Sequence, residues 1–427
     1  MIRVFLIGLL VFLKTVSFTQ DTLTLQTCFD LVKKNKYLYI SENATKKSEL
    51  LKSELLKWSL LPTLNSSNNF TTTFGRRVDP FTNTFTTNSA NSQSFGLNSS
   101  LNVFNGFSYF YIKNNLALNY QKSLISMQQK ENEIKLKVID LFVEACKQQE
   151  LIRINKAAIE KQKQLKNLQR ALFLAGKISL IDTLKNHNSY LKEIQQQLTL
   201  VQQLNMQRIE LNYLTQTLLD KQFHYDLESI SEIKDKPFLA VHFESQKLKI
   251  EQEIVDEQLK LERASILPSL SIYGALETGF STNNKDYSSI NTPTIPFASQ
   301  LNNNLYESIS LNLTIPLFNK LEYIKTKRLS VITKEELELK EKEFSIELEK
   351  NKLQQLNDQL TIHAQIELSE IVIKNLTTIN DKMLLIYKEG KISYFELVNA
   401  MNELSSKEIE LVNYKIMKLK LLLTINF

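Results

Sequence analysis

Between Gly106 and Gly176 lie 69 consecutive residues with no glycine or proline, and between Pro316 and Gly390 lie another 73. Glycine and proline are the residues that most readily end or break a helix. At 1.5 Å per residue each stretch predicts a helix of roughly 100 Å, far beyond the usual globular helix of about 8–20 residues. Both stretches are rich in Leu, Ile, Lys, Glu and Gln, and apolar residues such as Leu353, Leu356 and Leu360 recur at helical spacing. Helices of that length need coiled-coil-like packing against neighbours. The whole chain holds only 8 Gly and 7 Pro in 427 residues, about a quarter of the usual share. That shortage excludes a turn-dense all-β fold, while the 43% hydrophobic content is enough to bury a core.

Charge and chemistry narrow the function classes. Against 46 Asp and Glu stand 52 Lys and Arg, a net charge of +6 spread thinly. Such a surface lacks the concentrated positive field that grips nucleic acid. The two cysteines, Cys28 and Cys146, allow at most one disulfide and have neither metal-type nor redox-type spacing. The four histidines, His187, His224, His242 and His363, are scattered singly. There is no glycine-rich phosphate loop, Gly-x-Ser-x-Gly or His-Glu-x-x-His motif. The reading is therefore a non-enzyme without cofactor or metal.

At the amino end, Arg3 precedes an apolar run from Val4 to Leu13, and Ser17 and Thr19 precede Gln20. A basic start, a short apolar stretch and small residues describe a secretory signal over residues 1–19. A lipid anchor at Cys28 fits poorly, because Thr27 precedes it and the apolar run lies far upstream. No later segment approaches the ~20 apolar residues of a spanning helix. A secreted chain of this kind is soluble, or it crosses an outer membrane as a β-barrel.

The zones around the prolines are different material. In residues 63–103, Ser, Thr and Asn fill 23 of 41 positions, which read alone suggests a disordered linker. The order of residues opposes that. Phe95, Leu97, Leu101 and Val103 alternate with Ser94, Gly96, Asn98, Ser100 and Asn102. Ile309, Leu311, Leu313 and Ile315 alternate with Ser308, Ser310, Asn312 and Thr314. Weaker partners carry Leu64, Phe70 and Phe74, and Leu270, Ile272, Leu276 and Phe280. Strands with one apolar and one uncharged polar face fit a transmembrane barrel, the apolar residues facing lipid; a water-soluble sandwich also alternates.

The chain repeats itself. Leu60–Asn65 resembles Ile266–Ser271, and Ala175–Ser179 resembles Glu389–Ser393. Residues 20–222 and 238–427 each read as helix, strand, strand, long helix, helix, with 223–237 as linker. Four strands cannot close a barrel, since the smallest known have about eight, and open edges in lipid cost several kcal/mol per unpaired group. Several chains must share one barrel: two would supply eight strands, three twelve.

With these features in place the chain resembles the TolC family of outer-membrane efflux ducts, with a Bacteroidetes-like signal and strand composition. The resemblance rests on Thr24-Leu25, Leu61-Pro62, Val103-Phe104-Asn105-Gly106, and the tip motifs beginning Gly176-Lys177-Ile178-Ser179 and Gly390-Lys391-Ile392-Ser393. It implies a mainly α homotrimer in the cell outer membrane, extending into the periplasm. Twelve helices would form an α-barrel that continues a shared twelve-stranded β-barrel. It implies a passive exit duct of a tripartite efflux or type I secretion system, fed by a periplasmic adaptor and an inner-membrane pump of RND, ABC or MFS type. Gly176, Ile178, Ser179, Gly390, Ile392 and Ser393 would meet the adaptor. Tyr387 and Asp182 match a closing link of the entrance, and Glu396 matches an acidic ring; Asn399 stands where a second acid would be expected. The alternative is a secreted coiled-coil scaffold without transport. From residue chemistry alone, Ser179 with Asp182 and Ser393 with Glu396 are helix-capping boxes, and Trp58 is either an interfacial anchor or a packed aromatic.

Overall fold

The computed structural model describes residues 22–79, 81–83, 85–86, 89–176, 178–218, 223–225, 240–288, 290–319 and 321–424. The signal segment, most of the 223–237 linker and Lys177 of the first tip motif lie outside the described residues. Among the described residues both halves run through helix, strand, strand, long helix and helix, with short elements between them: a ribbon of Arg77–Val78 with Phe85–Thr86 in the first half and a short helix in the second. The chain packs into two compact units that each draw on both halves: Met1–Glu42, Ser126–Glu244 and Glu343–Phe427 form one, Asn43–Ile125 and Ser245–Lys342 the other.

In the first unit, helix α1 (Leu25–Lys34) starts at a reciprocal cap. The Thr24 hydroxyl accepts from the Thr27 amide at 3.2 Å, and the Thr27 hydroxyl accepts from the Thr24 amide at 3.1 Å. Leu25, Cys28, Phe29 and Val32 follow at the i, i+3, i+4, i+7 spacing of one helix face and are all buried. They pack on Val138, Ile139, Phe142 and Val143 of α3 (Ser108–Leu174), Leu211 and Leu214 of α4 (Leu180–Thr215), and Ile416 and Leu423 of α8 (Tyr394–Thr424). Each such side chain contributes about 1.5–3 kcal/mol on burial. Cys28 and Cys146 sit in this cluster as free thiols. Burial first, and then the nearby Cys146, push the Cys28 thiol up to about 12.

The start of the supposed linker belongs to this core. Thr22–Leu23 pairs in parallel with His224–Tyr225. Tyr225 is buried edge-on against Phe142, 5.6 Å between ring centroids, and its amide donates to Gln149 Oε1 at 3.2 Å. Helix α7 (Glu322–Lys388) carries the apolar seam read from the sequence, and among the described residues it is left largely open: Leu353 is 63% exposed and Leu360 75%.

The second unit is built around one antiparallel sheet in the order β1 (Thr63–Thr73), β2 (Ala90–Asn105), β3 (Ser269–Ser281), β4 (Tyr306–Thr314). Helices α2 (Ile40–Leu55) and α5 (Ala240–Ala264) precede β1 and β3, while α3 and α7 follow β2 and β4. The short helix α6 (Phe297–Asn303) lies in the β3–β4 connection. Strand β4 is shorter than the alternation suggested, so Ile315 lies just beyond it.

Candidate functional site

The register sorts the sheet into two faces, because antiparallel partners point to the same side. One row joins Leu101, Ile272 and Leu311 across three strands; the neighbouring row joins Phe104, Leu270 and Leu313. Phe95, Leu97, Leu64, Phe70, Leu276, Phe280 and Ile309 share that face by parity. The opposite face carries Asn102, Ser271 and Asn312 in one row and Asn65, Asn98 and Ala275 in another. It is tied by hydrogen bonds between uncharged groups: Tyr273 Oη donates to Asn98 Oδ1 at 2.7 Å, and the Thr63 and Ser100 hydroxyls lie 2.8 Å apart. The alternation read from the sequence therefore corresponds to real faces, with one difference. A bulge shifts the register between Asn102 and Phe104. Val103 is the extra residue, and Phe104 takes the ladder place that strict alternation assigned to it.

The apolar face is uncovered along β4, with Ile309 87% and Leu311 67% exposed, while Phe297 of α6 packs on Phe95 and Phe280, 6.2 and 5.4 Å between ring centroids. The outer edges of β1 and β4 have no strand partner among the described residues. A face of this kind together with two open edges is unstable in water and cannot stand alone in lipid.

The second candidate region is the pair of turns in the first unit. Gly176 and Gly390 follow α3 and α7 with φ of +72° and +76°, a left-handed conformation that only glycine adopts without strain. The Gly390 amide donates to Tyr387 O at 2.9 Å and the Lys391 amide to Ile386 O at 3.2 Å, closing the end of α7. Ser179 and Ser393 then cap the succeeding helices, their hydroxyls accepting from the Asp182 and Glu396 amides, both at 3.2 Å. The second cap is reciprocal, for the Ser393 amide donates to Glu396 Oε2 at 2.8 Å. The shorter Asp182 instead accepts from the Ser179 hydroxyl at 2.7 Å. One methylene decides whether the carboxylate reaches back to the cap's own amide.

Tyr387 is buried with Leu165, Tyr394 and Leu397, and Ile392 packs against this cluster. Its Oη accepts from Gln169 Nε2 at 3.0 Å. Tyr394 Oη donates to Asn186 Oδ1 at 2.9 Å. Each tyrosine of the second turn thus bonds a carboxamide of the first hairpin, a pairing the sequence reading missed. Burial is the chief cause of a raised Tyr387 phenol pKa; the Gln169 bond opposes it, and the Asp182 charge adds to it. Within one copy the described bond of the Tyr387 hydroxyl is to Gln169. Glu396 and Asn399 are exposed one turn apart on α8.

No protein-family profile matches the sequence. No curated protein matches it either. Solved structures do match. CusC, described in terms of folding and transmembrane channel formation, aligns at a TM-score of 0.74 and 13% identity over 93% of this chain and 90% of its own. The outer-membrane protein VceC of Vibrio cholerae gives 0.73 and 11% over 93% and 94%. The CmeC outer-membrane channel of Campylobacter jejuni gives 0.71 and 15% over 93% and 84%. This chain has the fold of these outer-membrane proteins over nearly its whole length.

Proposed function

We propose that the chain is the outer-membrane exit duct of a tripartite efflux or type I secretion system. It works as a homotrimer and conducts cargo passively from a periplasmic adaptor and an inner-membrane pump of RND, ABC or MFS type. The observation that carries this reading is the four-stranded sheet with an exposed apolar face, a polar face whose one charged strand residue among those described is Glu277, and two edges without a strand partner among the described residues. Three copies joined edge to edge give twelve strands, leave no edge in lipid, and turn the apolar rows outward and the polar rows inward. The uncovered seam of α7 offers the same copies a second contact, and exposed Trp58, just before β1, would anchor at the lipid interface. A coiled-coil scaffold has no use for an uncovered apolar sheet.

In this reading Gly176, Ile178, Ser179, Gly390, Ile392 and Ser393 form the adaptor-facing tips. Asp182, Tyr387, Glu396 and Asn399 belong to the periplasmic entrance, where Tyr387 of one copy would approach Asp182 of the next. The test is outer-membrane fractionation combined with heat-modifiable migration on gels and conductance in planar bilayers. A trimer that resists washing from the membrane and conducts ions is expected. A stable monomer in detergent, or release by washing, overturns the reading.

A further inference from the structure

The β1–β2 connection does not simply turn at the sheet end remote from the long helices. Its described part folds back over the polar face. Gly279 belongs to the polar row of β3, pairing with Ser94. A Cβ built on Gly279 would overlap the ring of Phe81. The ring therefore sits directly on the polar side of the strand, in a seat that exists because residue 279 has no side chain.

Buried groups hold it there. Asp79 is 2% exposed and accepts from the Phe81 amide at 3.0 Å and the Thr82 amide at 3.1 Å. It also accepts from the hydroxyl of Ser281 at the end of β3, a fully buried residue. From the other side Gln300 of α6 clasps the Ser281 backbone: its Oε1 accepts from the amide at 2.9 Å and its Nε2 donates to the carbonyl at 3.1 Å. The Gln300 Nε2 also donates to Ile295 O at 2.8 Å. Arg77 and Phe81 line a cavity of about 530 Å³ together with Ser94, Gly96 and Glu277 of the polar face.

We propose that Phe81 forms a fixed constriction at the outer mouth of the duct and sets the upper size of what leaves it. This rests on the duct reading, in which the polar face lines the lumen. Three copies then bring three aromatic rings inward at one level, in a wall made mostly of hydroxyls and amides with Glu277 as its carboxylate. Apolar rings at a narrow level restrict both wetting and passage. The constriction is distinct from the helix-turn entrance, lying on the other unit and using none of its residues.

The experiment compares wild type, Phe81→Ala and Phe81→Leu, each as the full chain in planar bilayers, with trimers checked by heat-modifiable migration. Neutral polyethylene glycols of graded size are added on the side of the β-loops. The expected result is a rise in single-channel conductance and a shift of the polymer exclusion limit to larger sizes, greater for Ala than for Leu. Conducting trimers of either variant with wild-type conductance and exclusion limit overturn the constriction while leaving the duct intact. Wild-type trimers that never conduct overturn the duct reading and the constriction with it.

Discussion

Placing arginine on either side of one strand is the sharpest trial of the sheet assignment. Leu311 lies near the middle of nine-residue β4, opposite Ile272, and is 67% exposed in the single chain. Asn312 is its immediate neighbour, opposite Ser271 on the other face. If the apolar face meets lipid, Leu311→Arg puts a guanidinium near the bilayer midplane at a cost of about 2–4 kcal/mol. At about 1.4 kcal/mol per factor of ten, that is a roughly 30- to 700-fold penalty per copy. A trimer repeats the change three times, about 6–12 kcal/mol in all, comparable with the ~5–15 kcal/mol that holds a whole domain. Asn312→Arg points to the water-filled side and should stay within ~0.5 kcal/mol of wild type, as surface changes do. Trimer yield in the outer-membrane fraction, read as the heat-modifiable band, should collapse for Leu311→Arg and persist for Asn312→Arg. Equal behaviour of the two would show the phase assigned to β4, and with it the inside and outside of the sheet, to be wrong.

At the helix turns, Tyr387→Phe leaves the buried Gln169 amide without its acceptor and should destabilise the trimer by about 1–3 kcal/mol, measured by thermal melting. Combined with Asp182→Ala it should also raise resting conductance, if the two groups close the entrance between copies. Glu396→Gln keeps an oxygen for the Ser393 amide but removes the charge. Its melting should match wild type while cation selectivity falls, whereas Ser393→Ala should cost about 1 kcal/mol as a lost cap. Burial alone would raise the Asp79 pKa, but bonds from Ser281, Phe81, Thr82 and Asn283 outweigh it and hold the carboxyl below its ordinary range. A depressed pKa stabilises at pH values above the unfolded ~3.9 and loses its effect as pH falls through the folded value. Conductance should therefore stay constant down to about pH 4 and rise below it as the mouth segment loosens.

Much of the architecture was readable from two periodicities and from where glycine and proline are missing. The 67-residue helices α3 and α7 fill the gaps between their flanking breaks, because a Leu-, Lys- and Glu-rich segment without breakers has no competing local structure. The faces of β2 and β4 followed from alternation, since a period of two has only one phase that buries the apolar set. What failed was local. Val103 kept the alternation in sequence, but the bulge beside it handed its ladder place to Phe104. A bulge leaves the composition of a strand unchanged, so nothing in the residue pattern marks it. Tyr225 read as linker because a two-residue strand is too short to show any period, although its ring fills the core beside Phe142.

The candidate sites divide along the same physical line. Caps and glycine turns are written within six residues, from Gly390 to Glu396 or Gly176 to Asp182, so their chemistry could be stated before any fold was known. Tyr387 with Gln169, and Asp79 with Ser281, join positions 218 and 202 residues apart, and no spacing rule reaches that far. Yet one trace of the mouth was present in the sequence. Gly274 and Gly279 interrupt β3, and glycine inside a strand signals either weakness or the close approach of something else. A Cβ at Gly274 would meet only a backbone oxygen at 4.0 Å, so that position tolerates a side chain, whereas at Gly279 it would displace Phe81. The two glycines look alike in the sequence and differ in what lies above them. Gly274→Ala should therefore be silent in the conductance assay, and Gly279→Ala should dislodge the ring and register there as Phe81→Ala does.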